Sequence, residues 1–194
     1  MIKLPKLLFG IGELDPYMSH DTVNYHYNHL HDKYVKTVNN IIKNNDSLCN
    51  LTLTELIDRA DTNSLLDVAS SQAYNHNMMW SCLSPKQSQG VPSDNLLASI
   101  TSSFGGYKQF KSEVEDKITK FVGSGWLWVY ADGDKTLVKT TSNHTSFTGP
   151  ILFVIDMWEH AYYLDTPADK TQYVSNVWNI LNWNVINDRY ENRY

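Results

Sequence analysis

Residues 126–142 read WLWVYADGDKTLVKTTS. Aromatic and β-branched residues crowd both arms, and Asp132-Gly133 divides them. This is the pattern of two antiparallel strands joined by a tight turn. Most of the chain outside this stretch carries its apolar residues at spacings of three and four, so these residues exclude an all-helical fold. Just downstream, ILFVI (151–155) is apolar on both faces and reads as a third strand at the centre of the sheet. Upstream, PSDNLLASITSSF (92–104) and YKQFKSEVEDKITKFV (107–122) read as helices separated by Gly105-Gly106, the second with Tyr107, Phe110, Val114 and Ile118 on one face. Downstream, QYVSNVWNILNWNVIND (172–188) reads as one helix through Val174, Val177, Leu181 and Val185.

The first half is helical. Ser19 can cap a long helix starting near His20, with the stripe Val23, Tyr27, Leu30, Tyr34, Val38 and Ile41. Thr52–Glu55 (TLTE) fits a capping box opening a short helix. A further helix over about 65–83 carries Ala69, Ala73, His76, Trp80 and Leu83 on one face. Two long helices with opposed stripes predict an antiparallel helical hairpin. The fold class is therefore α+β: a helical hairpin domain over 1–84, a linker over 85–94 rich in proline, glycine and polar residues, and an α/β domain with a three-stranded antiparallel sheet over 95–194.

Composition narrows the function. The chain has 194 residues, enough to bury a core without disulfides, and its two cysteines, Cys49 and Cys82, have no zinc-type spacing. Net charge is −5 with the basic residues scattered, which argues against nucleic acid. No apolar run approaches the roughly 20 residues of a membrane span, and the N-terminus lacks the pattern of a signal peptide, so a cytoplasmic protein is expected.

Three places break the apolar patterning. His26, Leu30 and Tyr34 share one helix face, Gln72, His76 and Trp80 another, and Asp156 and His160 follow the third strand. A lone buried histidine is most often a hydrogen-bonded core residue. Three imidazoles and a carboxylate on faces that should meet one core also make a plausible metal set, and these spacings leave both readings open. Imidazole suits zinc, copper, iron or nickel, and the carboxylate shifts the set towards iron or manganese. The lack of cysteine argues against structural zinc. A ferritin-like di-iron site is excluded because no Glu-x-x-His occurs. A two-histidine, one-carboxylate oxygenase fits the ligand types but has too few strands for its usual barrel.

Taken together, YHYNHLHDKYV (25–35), QAYNHNMMWSCLSP (72–85), SFGGYKQFK (103–111), GSGWLWV (123–129), DMWEHAYYLD (156–165) and NVWNILNWN (176–184) resemble the iron/manganese superoxide dismutase family. The resemblance runs over nearly the whole chain. It implies a homodimeric enzyme, with a tetramer also open, that disproportionates superoxide using one iron per subunit, with manganese as the other possibility. By motif it implies His26, His76, Asp156 and His160 as metal ligands. Tyr34 would guard the substrate channel, with Trp80, Trp126, Trp128 and Trp158 walling the site. Glu159 and Tyr163 would reach a partner subunit, and Lys170 would steer the anionic substrate. Gln72 resembles the iron-type arrangement, and His144 stands where the manganese type supplies a glutamine. Leu30 departs from the family, which has a histidine there facing the partner's equivalent of Tyr163. His29 and His31 flank it about 100° either way round the helix and cannot replace it unless the helix shifts locally by one residue. Leu30 also motivates the alternative reading, a non-catalytic metal-binding paralogue with a structural or storage role.

Overall fold

The computed structural model describes residues 1–43 and 45–192. Ser19 caps the first long helix, its Oγ accepting from the Thr22 amide at 3.2 Å. That helix runs unbroken through α1 (His20–Asn24), a π-helical segment (Tyr25–His31) and α2 (Asp32–Ile42). A π segment closes i→i+5 bonds and so accommodates one residue more than an α-helix in the same length. Residues after it are turned round the helix, so the buried face changes. The expected stripe Leu30, Tyr34, Val38, Ile41 is replaced by His31, Val35, Val38 and Ile42 as the buried set, while Leu30, Tyr34 and Ile41 are only half-buried. The sequence periodicity assumed 3.6 residues per turn throughout, and the π segment breaks that assumption.

The capping box forms at the start of α3 (Leu53–Arg59): the Glu55 amide donates to Thr52 Oγ1 and the Thr52 amide to Glu55 Oε2. Ser64 caps α4 (Leu65–Trp80), which packs on α2 and α3. Ala69 and Ala73 are fully buried in that hairpin, small enough to let the helices approach closely. Beyond Trp80 the chain is fastened to the C-terminal region. Leu83 bridges Leu181, the Ser84 amide donates to the Ile180 carbonyl at 2.8 Å, and the Asn182 amide donates to the Cys82 carbonyl at 2.7 Å. Both cysteines are free.

Helices α5 (Asp94–Phe104) and α6 (Tyr107–Lys120) are split by Gly105 at φ +84° and Gly106 at φ +146°, backbone that side-chain-bearing residues rarely adopt. Strands β1 (Gly125–Asp132) and β2 (Lys135–Ser142) form the expected hairpin, with Trp126 opposite Thr141. β3 (Ile151–Asp156) pairs antiparallel with β1, with Trp126 opposite Asp156, giving the order β2-β1-β3. The central strand is therefore β1, not ILFVI. β3 is apolar on both faces for another reason: α4 and the C-terminal helix α8 (Trp183–Glu191) pack against it, and every residue in it is buried. On this edge strand the Leu152 carbonyl is satisfied by Arg189 Nη1 at 3.0 Å, with the Cys82 thiol at 3.7 Å.

The C-terminal helix is two helices, α7 (Lys170–Val177) and α8 (Trp183–Glu191). Asn182 ends the first periodicity and caps the second, its Oδ1 accepting from the Val185 amide. Ile186, not Val185, then faces the core. No helix among the described residues is long and apolar enough to cross a membrane.

Candidate metal centre

Four side chains from three places in the chain converge. His26 comes from the π segment, His76 from α4, Asp156 from the last position of β3, and His160 from the single 3-10 turn after it (Glu159–Ala161). One ligand atom from each lies within 4.8 Å of the others. The focus is Asp156 Oδ2: His160 Nε2 is 3.1 Å away, His26 Nε2 3.2 Å and His76 Nε2 3.8 Å. His26, His76 and Asp156 have no exposed surface, and His160 keeps 18% of its side chain accessible.

Their polar atoms are poorly satisfied by protein. Both ring nitrogens of His26, Nε2 of His76 and Oε1 of Gln72 are buried without a hydrogen-bond partner. Orphans of this kind call for a missing ion or solvent. His76 carries the clearest orientation: its Nδ1 faces the Gln72 carbonyl at 2.7 Å. A carbonyl only accepts, so Nδ1 holds the proton and Nε2 presents its lone pair to the cluster. Burial lowers His26 to about 4 and His76 well below the ordinary imidazole value, so both rings are neutral at pH 7. Burial alone would raise the Asp156 carboxyl, but the facing His160 and His26 rings outweigh it and hold the group ionised. Two buried neutral imidazoles, the His160 ring and one carboxylate make a donor set that fits a transition ion such as iron or manganese.

Around them, Trp80 and Trp126 set ring edges against His26 (4.9 Å) and His76 (5.0 Å). Trp158 stacks on His160 at 5.8 Å, and Trp128 supports Trp126 from 6.3 Å. Tyr34 lies 5.7 Å from the His76 ring. Burial and the Asp156 charge raise its phenol, and the Gln72 side chain beside it pulls the other way. Tyr34 is therefore protonated at neutral pH.

Two further residues named from the sequence have their hydrogen-bond partners outside the cluster. The His144 ring turns to Asp67, in the first turn of α4, with Nε2 3.2 Å from Oδ2. Asp67 precedes His76 by nine residues, about 13 Å along the helix. Gln72, five residues nearer, is the amide that meets Tyr34. The Lys170 ammonium donates to the Phe121 carbonyl at 2.8 Å, which ties it down at the start of α7.

Two residues beside the site were not anticipated, and a third, His31, takes the buried place that a one-residue local shift of the helix gives it. His31 is buried, its ring stacked on His76 at 5.3 Å and 21° with the Asn77 side chain alongside. Tyr173 is buried and donates its hydroxyl to the Asp156 carbonyl at 2.9 Å. Asp67 resembles an ordinary acidic residue of a helix first turn, and only the fold reveals its partner. The side chain of Glu159 has no hydrogen bond among the described residues. With Tyr25, His160, Tyr163 and Leu164 it lines an apolar recess of about 330 Å³ opening on the cluster's accessible side.

The family described as iron/manganese superoxide dismutases, alpha-hairpin domain, matches residues 1–84, and the family described as their C-terminal domain matches residues 92–189. Among individual proteins, the chain is 34% identical over 191 residues to the superoxide dismutase [Fe] of Entamoeba histolytica, covering 96% of this chain and 98% of that one. It is 34% identical over 188 residues to the proteins of the same name from Salmonella typhimurium and Escherichia coli K12, covering 95% of each chain.

Proposed function

The chain belongs to the iron/manganese superoxide dismutase family, and on that premise we propose how its residues perform the reaction. The enzyme is a superoxide dismutase, taking two superoxide radicals and two protons to molecular oxygen and hydrogen peroxide. Its cofactor is iron, as in the relatives named for that metal. When bound, iron supplies the redox chemistry by alternating between its trivalent and divalent states.

His26, His76, Asp156 and His160 would hold the ion. The observation that carries this reading is their convergence, with orphaned nitrogens, at a place where three of the four have no exposed surface. Asp156 brings the one negative charge to the set. Its backbone is braced by Tyr173 through the carbonyl, and its Oδ1 accepts from the Trp158 amide at 2.8 Å. Gln72 Oε1, buried and unpaired, is left as an acceptor for a polar group of the occupied site. Tyr34, protonated and beside Gln72, can donate a hydrogen bond or pass a proton to the reduced oxygen species. Trp80, Trp126, Trp128 and Trp158 exclude water and keep the electrostatics strong. Lys170 holds a positive charge that favours an anionic substrate.

The protein is also proposed to be a homodimer, with a tetramer as the larger alternative. Support comes from the recess beside His160, where Tyr25, Tyr163 and Leu164 are each more than half exposed and the Glu159 side chain has no hydrogen bond among the described residues. A two-fold contact there would place Glu159 near the partner's copy of this recess. A hairpin domain over 1–84 and an α/β domain over 95–194 joined by 85–94, and a cytoplasmic antioxidant role without nucleic-acid or membrane partners, complete the proposal. The deciding experiment is superoxide consumption by protein of known metal content, after reconstitution with iron and with manganese separately. Activity that rises with iron occupancy is expected. Full iron occupancy without turnover would leave only a metal-binding role.

A further inference from the structure

The loop between β2 and β3 has no buried residue, yet it is bonded on two sides to segments that carry the cluster. On one side, Asn75 Nδ2 donates to the His144 carbonyl at 3.0 Å, and Ser146 Oγ donates to Asn75 Oδ1 at 2.6 Å. Asn75 is fully buried and immediately precedes His76. On the other side, Trp158 Nε1 donates to the Asn143 carbonyl at 3.3 Å, and Trp158 stacks on His160. The loop thus joins the α4 segment of the cluster to the segment after β3 through its own backbone carbonyls. Asn143 sits at φ +55° to aim its carbonyl, a conformation that needs support on both sides.

What anchors the loop itself is the His144 ring. Asp67 receives it on Oδ2, and that carboxylate is fixed in turn by the Asn63 amide at 2.8 Å and by Ser71 Oγ on Oδ1 at 3.3 Å. Both members of the pair are mostly buried, at 16% and 15% side-chain exposure, so the interaction is shielded more than a surface ion pair. Neither residue is in hydrogen-bond contact with the four clustered side chains.

We propose that Asp67 and His144 form a clamp that positions the metal cluster from outside, by locking residues 143–146 against α4 and so setting the relative placement of His76 and His160. Both are positioning residues: they act through Asn75 and Trp158. The proposal rests on the metal-centre reading and adds to it a reason for His144 to be a histidine that faces away from the ion.

The test compares iron-loaded parent protein with Asp67→Leu, His144→Leu, the double variant and His144→Gln, whose amide can still donate to Asp67. Iron release to a chelator, the electron paramagnetic resonance of the ferric protein, and hydrogen exchange at the Trp158 indole are followed. Release about tenfold faster is expected in both single leucine variants, with a changed ferric signal. The double variant should be no worse than either single one, and His144→Gln should stay close to the parent. Leucine variants with parental release and an unchanged ferric signal would overturn the proposal, even if their melting temperature falls. The exchange measurement is repeated on metal-free protein: indole exchange must quicken when the clamp is cut, and an unchanged rate sinks the clamp. A parent that fails to bind iron refutes the metal-centre reading instead.

Discussion

The imidazole of His31 lies parallel to that of His76, with 5.3 Å between ring centroids. This contact exists because the π-helical segment carries position 31 to the buried face that position 30 would otherwise occupy. His31→Ala should therefore open a cavity against His76 and destabilise the metal-free protein by about 2–4 kcal/mol. Leu30→Ala, at a half-buried place, should cost less than about 1 kcal/mol. Urea unfolding of the two variants gives the ranking, and the reverse order would mean that the helix keeps α register through this stretch.

Asp156 is the only carboxylate among the four converging side chains. Asp156→Asn keeps the shape and removes the charge. Iron content should drop from near stoichiometric to about a tenth or less, while far-ultraviolet circular dichroism stays at the parent level. Full iron content in this variant, measured by elemental analysis, would show that the ion is held elsewhere.

Acid should weaken the metal-free fold in a defined window. Burial lowers His26 and His31 to about 4, whereas the unfolded chain titrates these groups near 6.5. The unfolded state takes up protons first, so the stability these rings contribute is complete above pH 6.5 and is lost as the pH falls towards 4. At pH 5 each ring accounts for about 2 kcal/mol of that loss. Asp156, held low by its imidazole neighbours, acts in the same direction only at still lower pH. Unfolding free energies that stay flat from pH 7.5 to 5 would contradict this account.

Gln72 and Tyr34 should separate by what they leave intact. Gln72→Leu removes the buried unpaired acceptor and should lower turnover about 10- to 100-fold with iron still bound. Tyr34→Phe keeps the ring against His76 and removes only the hydroxyl, so its effect should appear mainly where proton supply limits the rate, at high pH. Stopped-flow superoxide decay across pH distinguishes the two, and parental kinetics in both would exclude them from the reaction.

The recess beside His160 should be the contact between subunits. Glu159→Ala combined with Tyr163→Ala should shift sedimentation from dimer to monomer at micromolar concentration and leave the monomer folded. A dimer that survives the double change lies on another face.

The sequence was most legible where one period holds. The β1–β2 hairpin, the Thr52 capping box and the Gly105-Gly106 break are all local, and each is found where the residues predict it. The four clustered residues were readable because polar groups on apolar stripes are conspicuous. Register within the first helix was not, since nothing in YHYNHLH announces a π turn. The placement of β3 at an edge was hidden because burial by α4 and α8 imitates burial between strands. The partner of the His144 ring was hidden for a related reason: Asp67 is 77 residues away, and only tertiary packing introduces them.

His26 and His76 belong to the stretch before residue 84, and Asp156 and His160 to the stretch after residue 95. The two are laced together by the backbone bonds of Cys82 and Ser84 to residues 180–182 and by Arg189, which reaches Ser81 and Leu152. No half of the chain can build the coordination set alone, and three of its four members have no accessible surface. An ion so enclosed should exchange slowly while the lacing holds, so the metal a molecule carries should reflect what was present as it assembled more than what surrounds it later.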